Sequence, residues 1–315
     1  MRIERIFCSH YIVIIDVRFR VHLRIVSREG CLAVSSMMTQ EGILHYEVEG
    51  RRGDPLILLH CWLGSWRFWR GSMEYLARSR PYRIYALDFW GFGESDKRKE
   101  TYEIRDYVSM VVQFMDEMGI QQAPLFGHSM GGTVAMSLAL DYPLRVKQVA
   151  VVGSPMDGAS LNILLKLAGQ EWIARLLWRF PPLLNLVLWG FSPFVSTNQR
   201  DIYAQMIEHI SQATMASFSR SIASLRHTDL RPRLHEIRIP VLAIYGTGDG
   251  VVDPQQAQVI AFYTPHARVE MMERSRHFPM LSEPERFNQV LASFLESPSD
   301  QREIAKKSSD RSTVG

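Results

Sequence analysis

Short, wholly apolar runs alternate with amphipathic stretches along most of this chain. "PLILLH" is a short apolar run, the pattern of a strand buried on both sides, and "PLFGH", "VKQVAVVG" and "PVLAIYG" read as further strands. "ILHYEVEG" and "YRIYALDF" also read as strands. Between them, "RFWRGSMEYLAR", "EIRDYVSMVVQFMDEMG", "SMGGTVAMSLALDYP", "PQQAQVIAFY" and "EPERFNQVLASFLE" carry helical spacing. Strands alternating with helices predict βαβ units and a mostly parallel, doubly wound α/β sheet. The alternation breaks after Pro155: from about Leu161 to Leu225 the pattern is helical only, punctuated by Pro181, Pro182 and Pro193. The predicted organisation is an α/β core over 38–155 and 236–297, with a helical cap inserted over 156–235.

The two ends differ from this body. "VRFRVHLRI" (Val17 to Ile25) alternates strictly, as in a half-buried strand. Three readings of residues 1–37 are open: an edge hairpin on the main domain, a membrane- or partner-binding arm, or upstream sequence outside the functional protein. The abrupt start of domain-like sequence at "MTQEGILHYEVEG" favours the last, with Met37 or Met38 as the true start. The polar tail 298–315 has few large apolar residues and is predicted to be disordered.

Charge and cysteine content narrow the class. Lysine and arginine exceed acids by three in 315 residues. Arg2, Arg5, Arg18, Arg20, Arg24 and Arg28, against Glu4, Asp16 and Glu29, supply that whole excess before Met38. Nothing in the balance argues for nucleic acid. Cys8, Cys31 and Cys61 form neither a disulfide framework nor a metal spacing, so a reducing, cytoplasmic compartment is expected. No apolar run is long enough to cross a bilayer.

The chemistry centres on "PLFGHSMGGTVA". Gly127-His128-Ser129-Met130-Gly131 fits G-x-S-x-G between a strand and a helix, where a sharp turn exposes the serine. The helix behind it aims free N–H groups at that hydroxyl, and the N–H of Met130 is a candidate oxyanion donor. A serine needs a base. His277, between the last strand and the last helix, lies at a strand's C-terminal end, where open α/β sheets build sites. Asp249 in "GTGDG" is the candidate acid. Asp253, placed to cap a helix, and Asp157 are rivals. The loop "HCWLGSW" is placed to give a second oxyanion donor.

With these motifs the chain resembles the α/β-hydrolase superfamily in its helical-cap branch, from about Gly42 to Leu295. "HCWLGS", "DFWGFGES", "GHSMGG" and "GTGD" with "RHFPMLSEPE" carry the resemblance. It implies a Ser129–Asp249–His277 triad, with Trp62 supplying the second oxyanion N–H. Cys61 departs from the glycine usual before that position, and Arg276 from the glycine frequent before the base. Cys61, Trp62, Phe278 and Arg276 are the candidate pocket residues. Serine, where relatives that cleave epoxides carry aspartate, implies acyl transfer.

The expected function is hydrolysis of a small-to-medium apolar or aromatic ester through an acyl-enzyme, with a small-molecule substrate and no metal or organic cofactor. Carbon–carbon bond hydrolysis and cofactor-free perhydrolysis use the same triad, and a ligand-binding receptor with little turnover is a third possibility. The apolar "PPLLNLVLWGFSPF" suggests weak lipid contact by the cap, without membrane insertion.

Overall fold

The computed structural model describes residues 3–8, 11–16, 22–27, 34–79 and 81–296. Among the described residues, eleven strands form one sheet. They are β1 (Ile3–Cys8), β2 (Tyr11–Asp16), β3 (His22–Ser27), β4 (Val34–Thr39), β5 (Gly42–Glu49), β6 (Asp54–Leu59), β7 (Tyr82–Leu87), β8 (Ala123–His128), β9 (Val146–Val152), β10 (Val241–Gly246) and β11 (Arg268–Met272). Their spatial order is β1-β2-β3-β4-β5-β7-β6-β8-β9-β10-β11. From β7 onward every neighbour is parallel; β1 to β5 pair antiparallel in succession and β5 pairs antiparallel with β7. β4 to β11 make a mostly parallel α/β sheet of the kind the sequence predicts, with β4 (Val34–Thr39) lying largely before the Met38 start that the sequence pattern favours.

The apolar runs sit where their lack of a polar face requires. Leu56, Ile57, Leu58 and Leu59 of β6 are fully buried, as are all six residues of β8 and of β10. Helices cover the sheet: α1 (Arg70–Ser79), α2 (Ile104–Glu117), α3 (Met130–Asp141), α9 (Gln256–Tyr263), α10 (Pro279–Ser282) and α11 (Pro284–Glu296). α2 starts where Asp106 accepts the N–H of Glu103 at 2.8 Å, and ends at Gly119, whose φ of 68° suits a left-handed stop. The purely helical stretch becomes α4 (Ile163–Ala168), α5 (Glu171–Arg179), α6 (Pro181–Val195), α7 (Gln199–Ser211) and α8 (Met215–His227), inserted between β9 and β10.

At the N-terminal side, β4 straddles Met38 and buries Ser35 and Met37, while β1 to β3 extend the sheet beyond it. The alternating segment read over Val17 to Ile25 lies partly outside the described residues, and the tail 298–315 wholly so. No helix among the described residues is long and apolar enough to cross a membrane.

Sheet topology brings distant residues together. β6 pairs with both β7 and β8, so chain progression reverses direction around it, and sites form at such switch points. Register Leu59↔Gly127 sets the loop after β6 beside Ser129, and register Gly246↔Met272 sets the loop of Asp249 beside that of His277.

Candidate active site

Ser129 occupies a strained corner. Its φ of 53° and ψ of −118° lie where side chains rarely go. Its N–H is held by the Val152 carbonyl at 2.7 Å, and its carbonyl accepts from Gly132 and Thr133 as the first turn of α3 closes. Glycine is required beside it: a Cβ on Gly131 would come within 2.4 Å of the Leu59 carbonyl oxygen and 2.6 Å of that of His60. α3 therefore packs directly on the end of β6. Met130 opens α3, so its N–H has no acceptor one turn back.

His277 and Asp249 meet after β11 and β10. His277 Nδ1–H donates to Asp249 Oδ2 at 2.8 Å, and both side chains are buried. Asp249 Oδ1 accepts from the N–H groups of Val251 (2.8 Å) and Val252 (3.0 Å). Three donors on one carboxylate fix its rotamer. With Nδ1 engaged, Nε2 is the imidazole nitrogen left for substrate chemistry. Gly153, φ 51°, follows β9 beneath this pair: a Cβ there would lie 3.1 Å from Asp249 Oδ2 and 3.2 Å from His277 Nδ1.

The rival acids are elsewhere. Asp253 accepts the N–H of Gln255 at 2.9 Å. Asp157 accepts from Ala159 N–H (2.9 Å) and Gln256 Nε2 (3.0 Å).

The loop after β6 is braced from behind. His60 Nδ1–H donates to the Cys61 carbonyl at 2.7 Å, while Nε2 accepts the Phe89 N–H at 2.9 Å. Burial pushes this imidazole down to about 3, so it stays neutral. Leu63 takes φ 52°, and the Trp62 indole donates to the Phe218 carbonyl of α8 at 3.0 Å. Beneath the loop, buried Asp88 accepts the N–H of Trp66 (2.7 Å) and of Glu94 (2.9 Å), and desolvation raises its carboxyl to about 7. Burial also raises the Cys61 thiol, which keeps it from being a thiolate nucleophile.

Ser129 and His277 line one cavity of about 50 Å³. Cys61, Trp62, Phe68 and Phe278 wall it from the core side, and Leu165, Phe191 and Met206 from the helical insert. No lysine or arginine is among its lining residues. Arg276 is turned out of it, donating from Nη1 to the Ser196 carbonyl at 3.2 Å. Among the described residues no three His, Cys, Asp or Glu side chains gather in a way that could hold a metal ion.

The profile of the α/β hydrolase fold matches residues 54–284. The chain belongs to the α/β-hydrolase-fold family. A 2-hydroxy-6-oxononadienedioate/2-hydroxy-6-oxononatrienedioate hydrolase of Paraburkholderia phymatum is 29% identical over 262 residues, covering 80% of this chain and 90% of the relative. A pimeloyl-[acyl-carrier protein] methyl ester esterase of Yersinia enterocolitica is 28% identical over 267 residues, covering 80% and 97%. Among solved structures, an esterase from Exiguobacterium antarcticum superposes with a TM-score of 0.72 at 21% identity, covering 83% of this chain and 99% of its own. This α/β-hydrolase is thus an enzyme of a family whose similar members are hydrolases.

Two contributions to the hydrolase site were not anticipated. His128, inside the elbow, donates from Nε2 to the main-chain carbonyl of His277 at 2.8 Å, and burial holds it neutral. The insert walls the cavity with Leu165, Phe191 and Met206, whereas Trp172, Trp178 and Trp189, whose bulk suggests an apolar pocket in the sequence, do not line it; apolar residues at helical spacing look alike whether they line a cavity or pack a core.

Proposed function

We propose that this α/β-hydrolase is a serine carboxylic ester hydrolase acting on small-to-medium apolar acyl or aromatic esters through an acyl-enzyme. The observation that carries the reading is the 2.8 Å His277–Asp249 hydrogen bond beside Ser129 in one apolar cavity. Ser129 Oγ attacks the ester carbonyl while His277 Nε2 takes its proton, and Asp249 stabilises the imidazolium. The N–H groups of Met130 and Trp62 hold the oxyanion. His277 protonates the departing alkoxide and then activates the water that releases the acid. Helices α4 to α8 act as the cap over the acyl or aryl group. The buried free thiol of Cys61 fits a reducing, cytoplasmic setting.

A second reading is carbon–carbon bond hydrolysis, favoured by the oxononadienedioate hydrolases among the similar proteins. Their named substrate is a dicarboxylate, whereas the cavity here offers no cation to bind one. A panel of p-nitrophenyl esters of rising chain length, beside a 2-hydroxy-6-oxodienoate, separates the two. Faster turnover of the esters supports the proposal; turnover confined to the dienoate replaces it with the second reading.

A further inference from the structure

α6 is apolar on two sides. It carries no charged residue, and Asn185 and Ser192 are its only polar side chains. Leu184, Leu188, Phe191 and Val195 form its buried stripe, and the last two line the cavity. The opposite side presents Leu186 (64% exposed) and Trp189 (55%). The neighbouring α5 adds Trp172 (67%) and Leu176, with Phe180 at the junction. α5 packs against both α4 and α6, so their outer sides adjoin. Of nineteen exposed large apolar side chains among the described residues, eleven fall within 163–194. That is a patch rather than the scatter of an ordinary surface.

The charge carried by α4 to α6 themselves is one-sided, while the adjoining α7 adds Arg200, Asp201 and Glu208. Between Ile163 and Val195 the cations are Lys166, Arg175 and Arg179, and the sole acid is Glu171. Glu171 already faces two guanidinium groups, Arg175 at 3.1 Å and Arg220 at 3.8 Å. Arg179 lies over the Phe180 ring and has no carboxylate partner among the described residues. We infer that the outer face of α4 to α6 docks the enzyme on an anionic lipid surface. Leucine and phenylalanine enter the acyl boundary, the indoles sit at the interface, and the cations meet lipid phosphates. A two-fold pairing with a second copy would instead set this surplus positive charge against itself. The attachment is peripheral, and it does not depend on the reaction the cavity performs.

Flotation of the full chain with vesicles tests this. Vesicles of phosphatidylcholine containing phosphatidylglycerol are expected to carry the protein, with a blue shift of tryptophan emission. Vesicles of phosphatidylcholine alone bind about tenfold to thirtyfold more weakly, since about two surplus cations meet the anionic surface. Trp172→Ser/Leu186→Ser/Trp189→Ser alters exposed positions only, and is expected to lose at least about tenfold in binding with its Tm kept. Arg175→Gln/Arg179→Gln removes the preference between the vesicles. The same results are expected in Ser129→Ala, so failure of the hydrolase reading leaves this test intact. Absence of vesicle binding, or equal binding by the triple serine variant, overturns the inference. So does a wild-type dimer that the triple variant converts to monomer, because the face then belongs to a second copy.

Discussion

His128 and His277 are joined by a 2.8 Å hydrogen bond from an imidazole N–H to a main-chain carbonyl. The residue before Ser129 therefore holds the loop of His277, and the two rings lie 4.8 Å apart. His128→Phe keeps a ring in this space but removes the donor. A buried hydrogen bond is worth about 1 kcal/mol, so kcat should fall about fivefold to tenfold with KM unchanged. Steady-state kinetics on a short ester check this; an unchanged kcat would show that the bond does not position the base.

The acid is tested by comparing two aspartates four residues apart. Asp249→Asn leaves His277 without the acceptor that holds its tautomer, and kcat should drop by about four orders of magnitude, the loss typical of such a change. Asp253→Asn should stay close to wild type, because Asp253 serves only its local turn. Equal losses in the two variants would refute the assignment.

Acid should weaken the fold. His60 and His209 are held down to about 3 and about 4 by burial, and His128 well below its ordinary value. Below pH 6.5 the unfolded chain gains protons that these imidazoles refuse, so stability is full above 6.5 and is lost as pH falls. Asp88 and Glu47, both raised to about 7, act in the opposite sense: folded, they keep protons that the unfolded chain releases. They share their site with His45, lowered by burial and 3.8 Å from Glu47, which offsets part of their effect. The three histidines, each costing about 2 kcal/mol at pH 5, outweigh the roughly 4 kcal/mol that the two carboxyls return, so a smaller net loss is left. Urea unfolding at pH 7 and pH 5 should show the loss, and His209→Gln should shrink it by about one histidine's share. Equal stability at both pH values would contradict this.

Much of this architecture was legible because its signals are local. The short apolar runs of β6, β8 and β10 read as doubly buried strands, and the crowded glycines around Ser129 read as a tight turn. Asp249 and His277 were found because strand ends in a parallel sheet share one edge. What was not legible depends on three-dimensional pairing. Arg276 looked placed for the pocket, yet the Ser196 carbonyl draws it outward. His128 acts on a residue far along the chain. Which apolar face of α6 meets the cavity follows from packing, since both faces are apolar.

The N-terminal boundary is open to a direct measurement. β4 pairs with β5 along its length and buries Ser35 and Met37. A chain beginning at Val34 should keep wild-type activity and Tm, whereas one beginning at Met38 loses most of β4 and should melt several degrees lower, since burying a methionine is worth about 2 kcal/mol. A Met38 start with unchanged Tm would place the boundary where the sequence pattern alone puts it.

The central claim is that Ser129 is an activated nucleophile. Intact-mass and peptide-mapping mass spectrometry after treatment with a fluorophosphonate tests it most directly. The account predicts one adduct per chain, on Ser129, that is absent from Ser129→Ala and greatly slowed in His277→Ala, with ester turnover lost in parallel. Labelling of Ser129→Ala at the wild-type rate, or ester turnover that survives complete modification of Ser129, would contradict it.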